Sequence, residues 1–309
     1  MKLPVKEIHK TDVIGVVCHD AGGAEVVSEW LLQEELPFYA CLEGPAVKIF
    51  QNKFAEFNNK NLEELLSKSD WVLCGSSWQS DLEKRAVRRC LELGIFVAVC
   101  LEHWGNYEDR FITDDVLTLP SEIWVGDKDA LKLVIELFPN TPVRSINNPY
   151  LRKISFEIEA IKKTNCAIDI DILYVCEPIR EHAKIKYGDE NFLGYTEESA
   201  LKFFFDNVHL LSSGQTTIMI RPHPSDPSDK YDWTKSYNTD ALVVGIGGGQ
   251  TLISEIMRSK IVVGCESMAM VVALMAGRNV YSSIPIGGRD CILPHEGINQ
   301  MKDIHAKDD

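Results

Sequence analysis

A histidine held between two prolines is the feature of this sequence best suited to binding an anion. Residues 216–220 form a β-branched, apolar run that predicts a buried strand, and Arg221, Pro222, His223 and Pro224 follow it directly. The prolines end the strand and fix His223 at its carboxyl end, where ligands bind in open α/β sheets. Arg and His at such a point predict a site for a phosphate group. The alternative is a proline turn with a surface histidine.

Two more loops of the C-terminal half have the composition of phosphate-binding turns. One is rich in glycine, and in the other a polar pair stands where an apolar strand passes into an apolar helix. Backbone amides at a helix N-terminus bind anions, so both loops are candidates for nucleotide binding. Ser267 would serve equally as a helix N-cap. The candidate nucleotide-binding residues of these loops are Gly247, Gly248, Gly249, Glu266, Ser267 and Met268.

The first strand of the chain ends in a short acidic and glycine-rich loop. Residues 18–25 read CHDAGGAE, and they contain His19, Asp20, Gly22 and Gly23. Glycines allow a ligand to approach the backbone closely, and Asp20 would act as a general base on a substrate hydroxyl. The alternative is that Asp20 caps the next helix and the glycines form a plain turn.

Two later loops of the N-terminal half carry hydroxyl, aromatic and charged side chains. The loop at residues 74–81 reads CGSSWQSD, in which Ser80 or Asp81 would cap a helix, and the loop at 101–111 reads LEHWGNYEDRF. Such mixtures suit a carbohydrate, because rings stack on sugars while polar groups bond their hydroxyls. The alternative for the second loop is packing between domains. The candidate ligand-binding residues are Ser76, Ser77, Glu102, His103, Trp104, Asn106 and Arg110, with Glu102 as second choice for the base.

Short apolar runs and helical patterns alternate along the chain, which predicts parallel sheets covered by helices. The pattern pauses at residues 162–169 and then restarts, so we expect two α/β domains, 1–160 and 161–309, with the ligand between them. Strands are predicted at 13–18, 38–42, 71–75, 95–101, 123–125, 143–146, 172–176, 216–220, 242–246, 261–264 and 280–283. Helices are predicted at 24–34, 82–93, 128–138, 151–163, 197–211, 252–258 and 268–276.

The bulk composition narrows the class of protein. A formal net charge of −14 over 309 residues argues against a nucleic-acid-binding surface. The nine cysteines include no Cys-x-x-Cys pair, which argues against a zinc or redox motif and favours reduced thiols. The N-terminus lacks the apolar segment of a signal peptide, and no run is long enough to span a membrane. We expect a cytoplasmic protein with no cofactor and no metal site.

The layout and two motifs together resemble the GT-B glycosyltransferases, a fold of two Rossmann-like domains facing a central cleft. RPHP at 221–224 and CESMAM at 265–270 are similar to the His-Pro and Ser motifs of bacterial sialyltransferases and polysialyltransferases of this fold. The resemblance implies that His223, Pro224 and Ser267 contact the CMP part of the donor. It also implies an acidic base in the N-terminal, acceptor-binding domain, for which Asp20 and Glu102 compete.

The resemblance predicts a metal-independent glycosyltransferase of surface-glycan synthesis. Its partners would be a nucleotide-sugar donor, with a CMP-linked acidic sugar favoured over a UDP-sugar, and a sugar or glycan acceptor. The strand and loop LGIFVAVCLEHW at 93–104 are also similar to nucleotide-sugar 2-epimerases, so an epimerase or hydrolase is one alternative. A non-catalytic binding protein of the same fold is another. Peripheral membrane association and the oligomeric state are left open by the sequence.

Overall fold

The chain forms two compact units, Met1–Arg152 and Lys153–Asp309. The structure, a computed structural model, describes residues 6–77, 80–164 and 166–308. Each unit contains a six-stranded parallel sheet. Within these described ranges, no helix combines the length and the apolar character that crossing a membrane requires.

The first unit alternates strands and helices in the order that the sequence predicts. Its strands are β1 (Ile14–Cys18), β2 (Phe38–Leu42), β3 (Trp71–Cys74), β4 (Val97–Leu101), β5 (Ile112–Thr113), β6 (Val116–Leu117), β7 (Glu122–Val125) and β8 (Val143–Ser145). Its helices are α1 (Ala21–Glu34), α2 (Gly44–Lys53), α3 (Leu62–Leu66), α4 (Leu82–Leu93) and α5 (Lys128–Leu137), and α6 (Pro149–Lys162) contains the boundary between the units.

The strand order of the first sheet is β2-β1-β3-β4-β7-β8, and β5 and β6 form a separate hairpin. From β1 the chain moves outward to β2 and then returns to β3 on the other side of β1. The direction of winding therefore reverses between β1 and β3. In open α/β sheets, the crevice at the carboxyl ends of two such strands is where ligands bind.

The second unit repeats this plan. Its strands are β9 (Ile170–Val175), β10 (Thr216–Arg221), β11 (Leu242–Ile246), β12 (Ser259–Gly264), β13 (Asn279–Ser282) and β14 (Ile298–Gln300). Its helices are α7 (Ile179–Tyr187), α8 (Glu197–Asp206), α9 (Leu252–Arg258), α10 (Met268–Met275) and α11 (Met301–Asp308). The order β11-β10-β9-β12-β13-β14 reverses between β9 and β12.

The burial of several strands on both faces explains why apolar runs in the sequence predicted the strands of both sheets well. Every residue of β1, β3, β4 and β7 is buried, which is typical of parallel strands covered by helices on both sides. Each strand predicted from the sequence is present, and the bounds of α4, α9 and β11 are as predicted. Residues 163, 164 and 166–169 of the predicted linker form no helix or strand, and Asn165 lies outside the described residues.

Several elements differ from the sequence prediction. The hairpin β5–β6, the strand β14 and the helices α2, α3, α7 and α11 were not predicted. Helix α2 begins at Gly44 and has Pro45 in its first turn, a position where proline starts a helix rather than breaking one. The helix predicted at 197–211 ends at Asp206, where the Asn207 side chain donates to the Phe203 carbonyl and a short 3-10 turn follows.

Candidate functional site

The loop after β1 places a histidine and an aspartate side by side at the first reversal of strand order. Asp20 stands at the N-cap position of α1, but its side chain makes no capping hydrogen bond. Its Oδ1 instead lies 2.7 Å from His19 Nδ1. The two side chains keep 24% and 20% of their surface exposed. A carboxylate held against a partly exposed imidazole can accept a proton or orient the ring for doing so.

A second acidic side chain contacts the backbone of this pair. Glu83, in the first turn of α4, is 3% exposed, and its Oε1 accepts a hydrogen bond from the His19 backbone amide at 2.7 Å. Its Oε2 has no hydrogen-bond partner within the described parts of the chain. Burial, with Asp20 nearby, raises the pKa of Glu83 to about 7. This contact could not be predicted from the sequence, because a glutamate in a first helical turn is ordinary.

The loops after β3 and β4 are joined by a buried ionic network. Glu102 Oε2 accepts from Ser76 Oγ at 2.6 Å, and Glu102 Oε1 accepts from Arg110 Nη1 at 2.7 Å. Arg110 also donates to Ser76 and is itself buried. Both carboxylate oxygens of Glu102 are thus engaged in holding Ser76 and Arg110. Trp78 and Gln79, in the loop after β3, lie outside the described residues.

The glycines after β1 lie where side chains would not fit. A Cβ on Gly22 would come within 2.7 Å of Glu102 Cγ, and one on Gly23 within 2.9 Å of Gly75 Cα. Values below 3.0 Å force a neighbour to move. Close packing of α1 against the loops after β3 and β4 therefore accounts for both glycines, whatever ligand approaches them.

The remaining candidates of the first unit lie in the loop after β4. Trp104 is 6% exposed, and its Nε1 donates to Asp127 Oδ2 at 2.9 Å. His103 contacts the Trp104 ring at a centroid distance of 5.8 Å. Asn106 has a left-handed backbone with φ of 57°. Ser77 is buried, and its Oγ accepts from the Ser80 amide at 2.9 Å.

In the second unit, the cation at the end of β10 is paired within the protein. Arg221 Nη1 donates to the buried carboxylate of Glu255 and to the Gln250 carbonyl. The other oxygen of Glu255 accepts from the Gly248 amide at 2.7 Å and the Gln250 amide at 3.4 Å. Gly247 packs against Met219, and Gly248 has a left-handed φ of 91°. The glycine loop, which includes Gly249, is thus folded around Glu255.

The turn that follows Arg221 is held by an aspartate. The His223 amide donates to Asp226 Oδ2 at 2.8 Å, and the Asp226 side chain is 2% exposed. His223 Nδ1 lies 2.7 Å from Ser225 Oγ and accepts from the Ser225 amide at 3.2 Å. Burial lowers the pKa of His223, while Pro224 is exposed.

Two glutamates flank the second reversal of strand order. Glu177 follows β9, and its Oε1 accepts from the amides of Cys265 and Glu266 at 3.0 and 2.9 Å. Burial and the neighbouring Glu266 raise the pKa of Glu177 to about 8. Glu266 is buried and pairs with Arg289, and burial raises its pKa as well.

Ser267 occupies the N-cap position of α10. Its Oγ accepts from the Ala269 amide at 3.2 Å, and the half-buried Met268 begins the helix. The capping role proposed as the alternative for Ser267 is therefore present. The structure brings Glu266, Ser267 and Met268 together with Glu177, which sequence reasoning missed. Its position was the available signal, because Glu177 directly follows the predicted strand 172–176, just as Glu102 directly follows the predicted strand 95–101.

No group of three or more His, Cys, Asp or Glu side chains is arranged to hold a metal ion in the ranges that the structure describes. All nine cysteines are free thiols, and seven of them are buried.

Comparison with known proteins identifies the fold. No family model matches the chain, and no curated protein matches it. Among solved structures it is similar to a putative UDP-N-acetylglucosamine 2-epimerase from Listeria monocytogenes, with a TM-score of 0.61 and 12% identity over 96% of this chain and 86% of that chain. The UDP-GlcNAc 2-epimerase from Methanocaldococcus jannaschii, solved with UDP-GlcNAc and UDP, is similar as well. Its TM-score is 0.59, with 12% identity over 96% of this chain and 92% of that chain.

A glycosyltransferase from Rickettsia africae gives a TM-score of 0.56 and 11% identity over 91% of this chain and 81% of that chain. These neighbours are glycosyltransferases and 2-epimerases of the GT-B class, and the predicted fold class is confirmed. At these identities the similarity establishes the fold, and the sialyltransferase resemblance stays a prediction. This chain has two parallel-sheet α/β units of the GT-B type.

Proposed function

We propose that this protein is a glycosyltransferase of surface-glycan synthesis that uses a nucleotide-activated sugar, with a CMP-linked acidic sugar favoured over a UDP-sugar. The observation that carries the proposal is the His19–Asp20 pair. Its carboxylate is not used as a helix cap and lies 2.7 Å from an imidazole nitrogen, with both side chains partly exposed. Transfer to a hydroxyl acceptor requires a group that takes up its proton, and such a pair supplies one.

On the acceptor side we assign the base to Asp20. Glu102 is the weaker candidate, since both of its oxygens hold Ser76 and Arg110 in the first unit. Ligand contacts in this unit would come from the partly exposed His19 and His103 and from the loops that carry Ser77, Trp104 and Asn106.

On the donor side we assign the phosphate contact to His223. It is half-buried at the end of β10 and is positioned through its own backbone by Asp226. Ser267 and the loop Gly247–Gly249 remain proposed nucleotide contacts at the ends of β12 and β11. Hydrogen-bond donors at these strand ends would stabilise the leaving phosphate. We also infer that the protein works in the cytoplasm.

A thermal-shift panel of CMP, CDP, UDP, GDP and ADP tests the donor assignment. A ligand that binds only the folded state at about 100 times its dissociation constant adds about 2.7 kcal/mol of stability, which raises the melting temperature. We expect the largest rise with CMP or CDP and a smaller rise with UDP. A panel without any shift would remove the nucleotide-sugar proposal.

The first prediction concerns His223→Ala. A hydrogen bond from this side chain to a charged phosphate is worth about 1.5–3 kcal/mol, so we expect a roughly tenfold to hundredfold loss of nucleotide affinity. Calorimetric titration of the folded variant measures it. His209→Ala, on an exposed residue of a 3-10 turn, is the control and should bind as the wild type does. Equal affinity in both variants would move the phosphate site elsewhere.

The second prediction concerns the base. Asp20→Asn should lower turnover by about 10²–10⁴-fold because it removes a general base, while nucleotide affinity stays unchanged. Glu102→Gln should lower stability instead, since the buried Arg110 loses its charged partner. Near-normal turnover in the folded Asp20→Asn variant would show that the base is another residue.

A 2-epimerase or nucleotide-sugar hydrolase is the second candidate function. Its support is the similarity to a 2-epimerase structure that holds UDP-GlcNAc and UDP. One assay distinguishes the two activities: the nucleotide sugar is supplied without any acceptor. Release of free nucleotide or formation of an epimer would favour the alternative, whereas strict dependence on an acceptor favours the transferase. Binding without turnover over a broad acceptor panel would indicate a non-catalytic protein.

A further inference from the structure

Residues 222–226, the turn after β10, contain a contact that determines which nitrogen of His223 carries a proton. We propose that Ser225 and Asp226 are positioning residues that hold His223 as a neutral imidazole protonated on Nε2, so that it donates one hydrogen bond to the phosphate of the ligand. The identity of the ligand rests on the proposed function above. The protonation pattern of the ring does not, and it can be measured on the protein alone.

The tautomer follows from the direction of one hydrogen bond. The Ser225 backbone N–H points at His223 Nδ1, with an N···N distance of 3.2 Å. A backbone N–H can only donate, so Nδ1 must offer a lone pair. The Ser225 hydroxyl lies 2.7 Å from the same nitrogen, and because Nδ1 then carries no proton, the hydroxyl must be the donor of that hydrogen bond as well. A neutral ring that accepts at Nδ1 carries its proton on Nε2.

Asp226 fixes the place of the ring through the backbone. Its Oδ2 accepts from the His223 amide at 2.8 Å and from the Tyr231 hydroxyl at 3.1 Å. Its Oδ1 is 2.6 Å from Lys230 Nζ, which also lies 2.9 Å from Glu197. With a side chain 2% exposed, Asp226 is anchored on several sides, and prolines stand on both sides of His223.

The charges around the ring favour its neutral form. Burial is the main influence and lowers the pKa of His223, and Lys230 acts in the same direction. Asp226 and Glu181, the latter on α7, act in the opposite direction and do not outweigh burial. Arg221 and Lys230 are themselves paired with carboxylates. The subsite therefore offers a neutral donor, which suits the single charge of a phosphodiester such as a CMP-linked sugar.

Nuclear magnetic resonance of the full chain labelled with ¹⁵N-histidine tests the tautomer directly. A His223→Gln variant identifies the His223 signals among those of the eight histidines. We expect an unprotonated Nδ1 and a protonated Nε2 in the ligand-free protein at pH 7 and at pH 8. A ring protonated on Nδ1, or on both nitrogens, at either pH would overturn the proposal whether or not any nucleotide binds.

Variants at Ser225 and Asp226 separate positioning from a general structural role. Ser225→Ala removes the hydroxyl donor, so we expect a population protonated on Nδ1 to appear, while Ser236→Ala, on another exposed serine, leaves the His223 signals unchanged. Identical spectra for Ser225→Ala and the wild type would overturn the role of the Ser225 side chain. Asp226→Asn retains an acceptor for the His223 amide and should preserve the tautomer, whereas Asp226→Ala should not.

The pH dependence of CMP binding is the second readout. A neutral donor predicts an affinity that is nearly constant from about pH 7 to pH 9, where the phosphate has already lost its second proton. If the imidazolium were the binding form, the affinity would fall about tenfold per pH unit above the pKa of the ring. That fall would overturn the proposal, and a complete lack of CMP binding would instead count against the proposed function.

Discussion

Internal carboxylates hold the loops that follow the strands in both units. Glu83 accepts from the His19 amide, Asp226 from the His223 amide, and Glu255 from the Gly248 amide. Glu177 accepts from two amides just before α10. In each of these loops at least one backbone amide is bonded to a carboxylate of the protein and is therefore not available to a ligand anion. At His19 and His223, ligand recognition therefore depends on the side chains that these carboxylates position.

Sequence reasoning found the residues at the strand ends but not the acids beneath them. His19, Asp20, His223 and Ser267 stand out because each lies within three residues of the end of an apolar run or next to a proline. Glu83 looks like an ordinary glutamate in a first helical turn. Its contact with His19 joins residues 64 positions apart, and such a contact depends on the tertiary structure. No local pattern encodes it.

The third prediction uses the raised pKa of Glu83. Its ordinary value is near 4.5 and its folded value is about 7, so the folded state binds a proton more tightly than the unfolded state. The contribution of Glu83 to the free energy of unfolding should therefore be greatest below about pH 4.5 and should fall as the pH rises to about 7. Glu83→Gln should remove that dependence and be more stable than the wild type at pH 8, by roughly 3 kcal/mol.

Urea unfolding at pH 5 and pH 8 measures the Glu83 effect. Glu56→Gln, at an exposed site in the same unit, is the control and should have the free energy of unfolding of the wild type at both pH values. Parallel pH profiles for Glu83→Gln and the wild type would show that this carboxyl is not the source of the dependence.

At the level of elements, the glycines of the first unit set how closely α1 approaches the sheet. The fourth prediction is that Gly23→Ala lowers the free energy of unfolding by about 1–3 kcal/mol, as overpacking of a tight contact does. A Cβ there would meet the backbone of Gly75 and Ser76, which cannot rotate away. Gly245→Ala in β11 is the control, since nothing lies within 4 Å of its added carbon. Equal stability of the two variants would show that α1 can shift freely.

Ser267, the N-cap of helix α10, has a capping role and a proposed ligand contact that can be tested separately. The fifth prediction is that Ser267→Ala lowers stability by about 1 kcal/mol, because Ser267 Oγ accepts from the Ala269 amide. If Ser267 also binds phosphate, nucleotide affinity of the folded fraction falls as well, and that is the result we expect. Thr251→Ala, at the N-cap of α9, should lose similar stability without loss of affinity if its role is capping alone.

The reach of sequence prediction also differs between kinds of element. Strands buried on both faces give continuous apolar runs, which is why β1 and β3 could be placed within one residue of their bounds. Helix α2 was missed because Gly44-Pro45 has the composition of a turn, although proline in a first turn is compatible with a helix. The short hairpin β5–β6, of two residues per strand, has too little pattern to detect.

For the whole molecule, the division into two units connects the fold with the proposed roles. Each unit has a six-stranded sheet and its own buried clusters, and each has one reversal of strand order with polar loops beside it. Units of this size can bury a core of their own. All proposed donor contacts lie in the second unit and all proposed base and acceptor residues lie in the first.

Because of this division, we expect the second unit alone to bind the nucleotide. A fragment of residues 149–309 keeps α6 and the complete second sheet, so we expect it to unfold cooperatively and to gain thermal stability from CMP. Residues 1–152 should also fold but should show no CMP effect. His223→Ala in the fragment 149–309 should reduce that gain, as we expect for the full chain. Stabilisation of residues 1–152 by CMP would instead place the nucleotide beside His19 and Asp20, and the donor and acceptor assignments would then have to be exchanged.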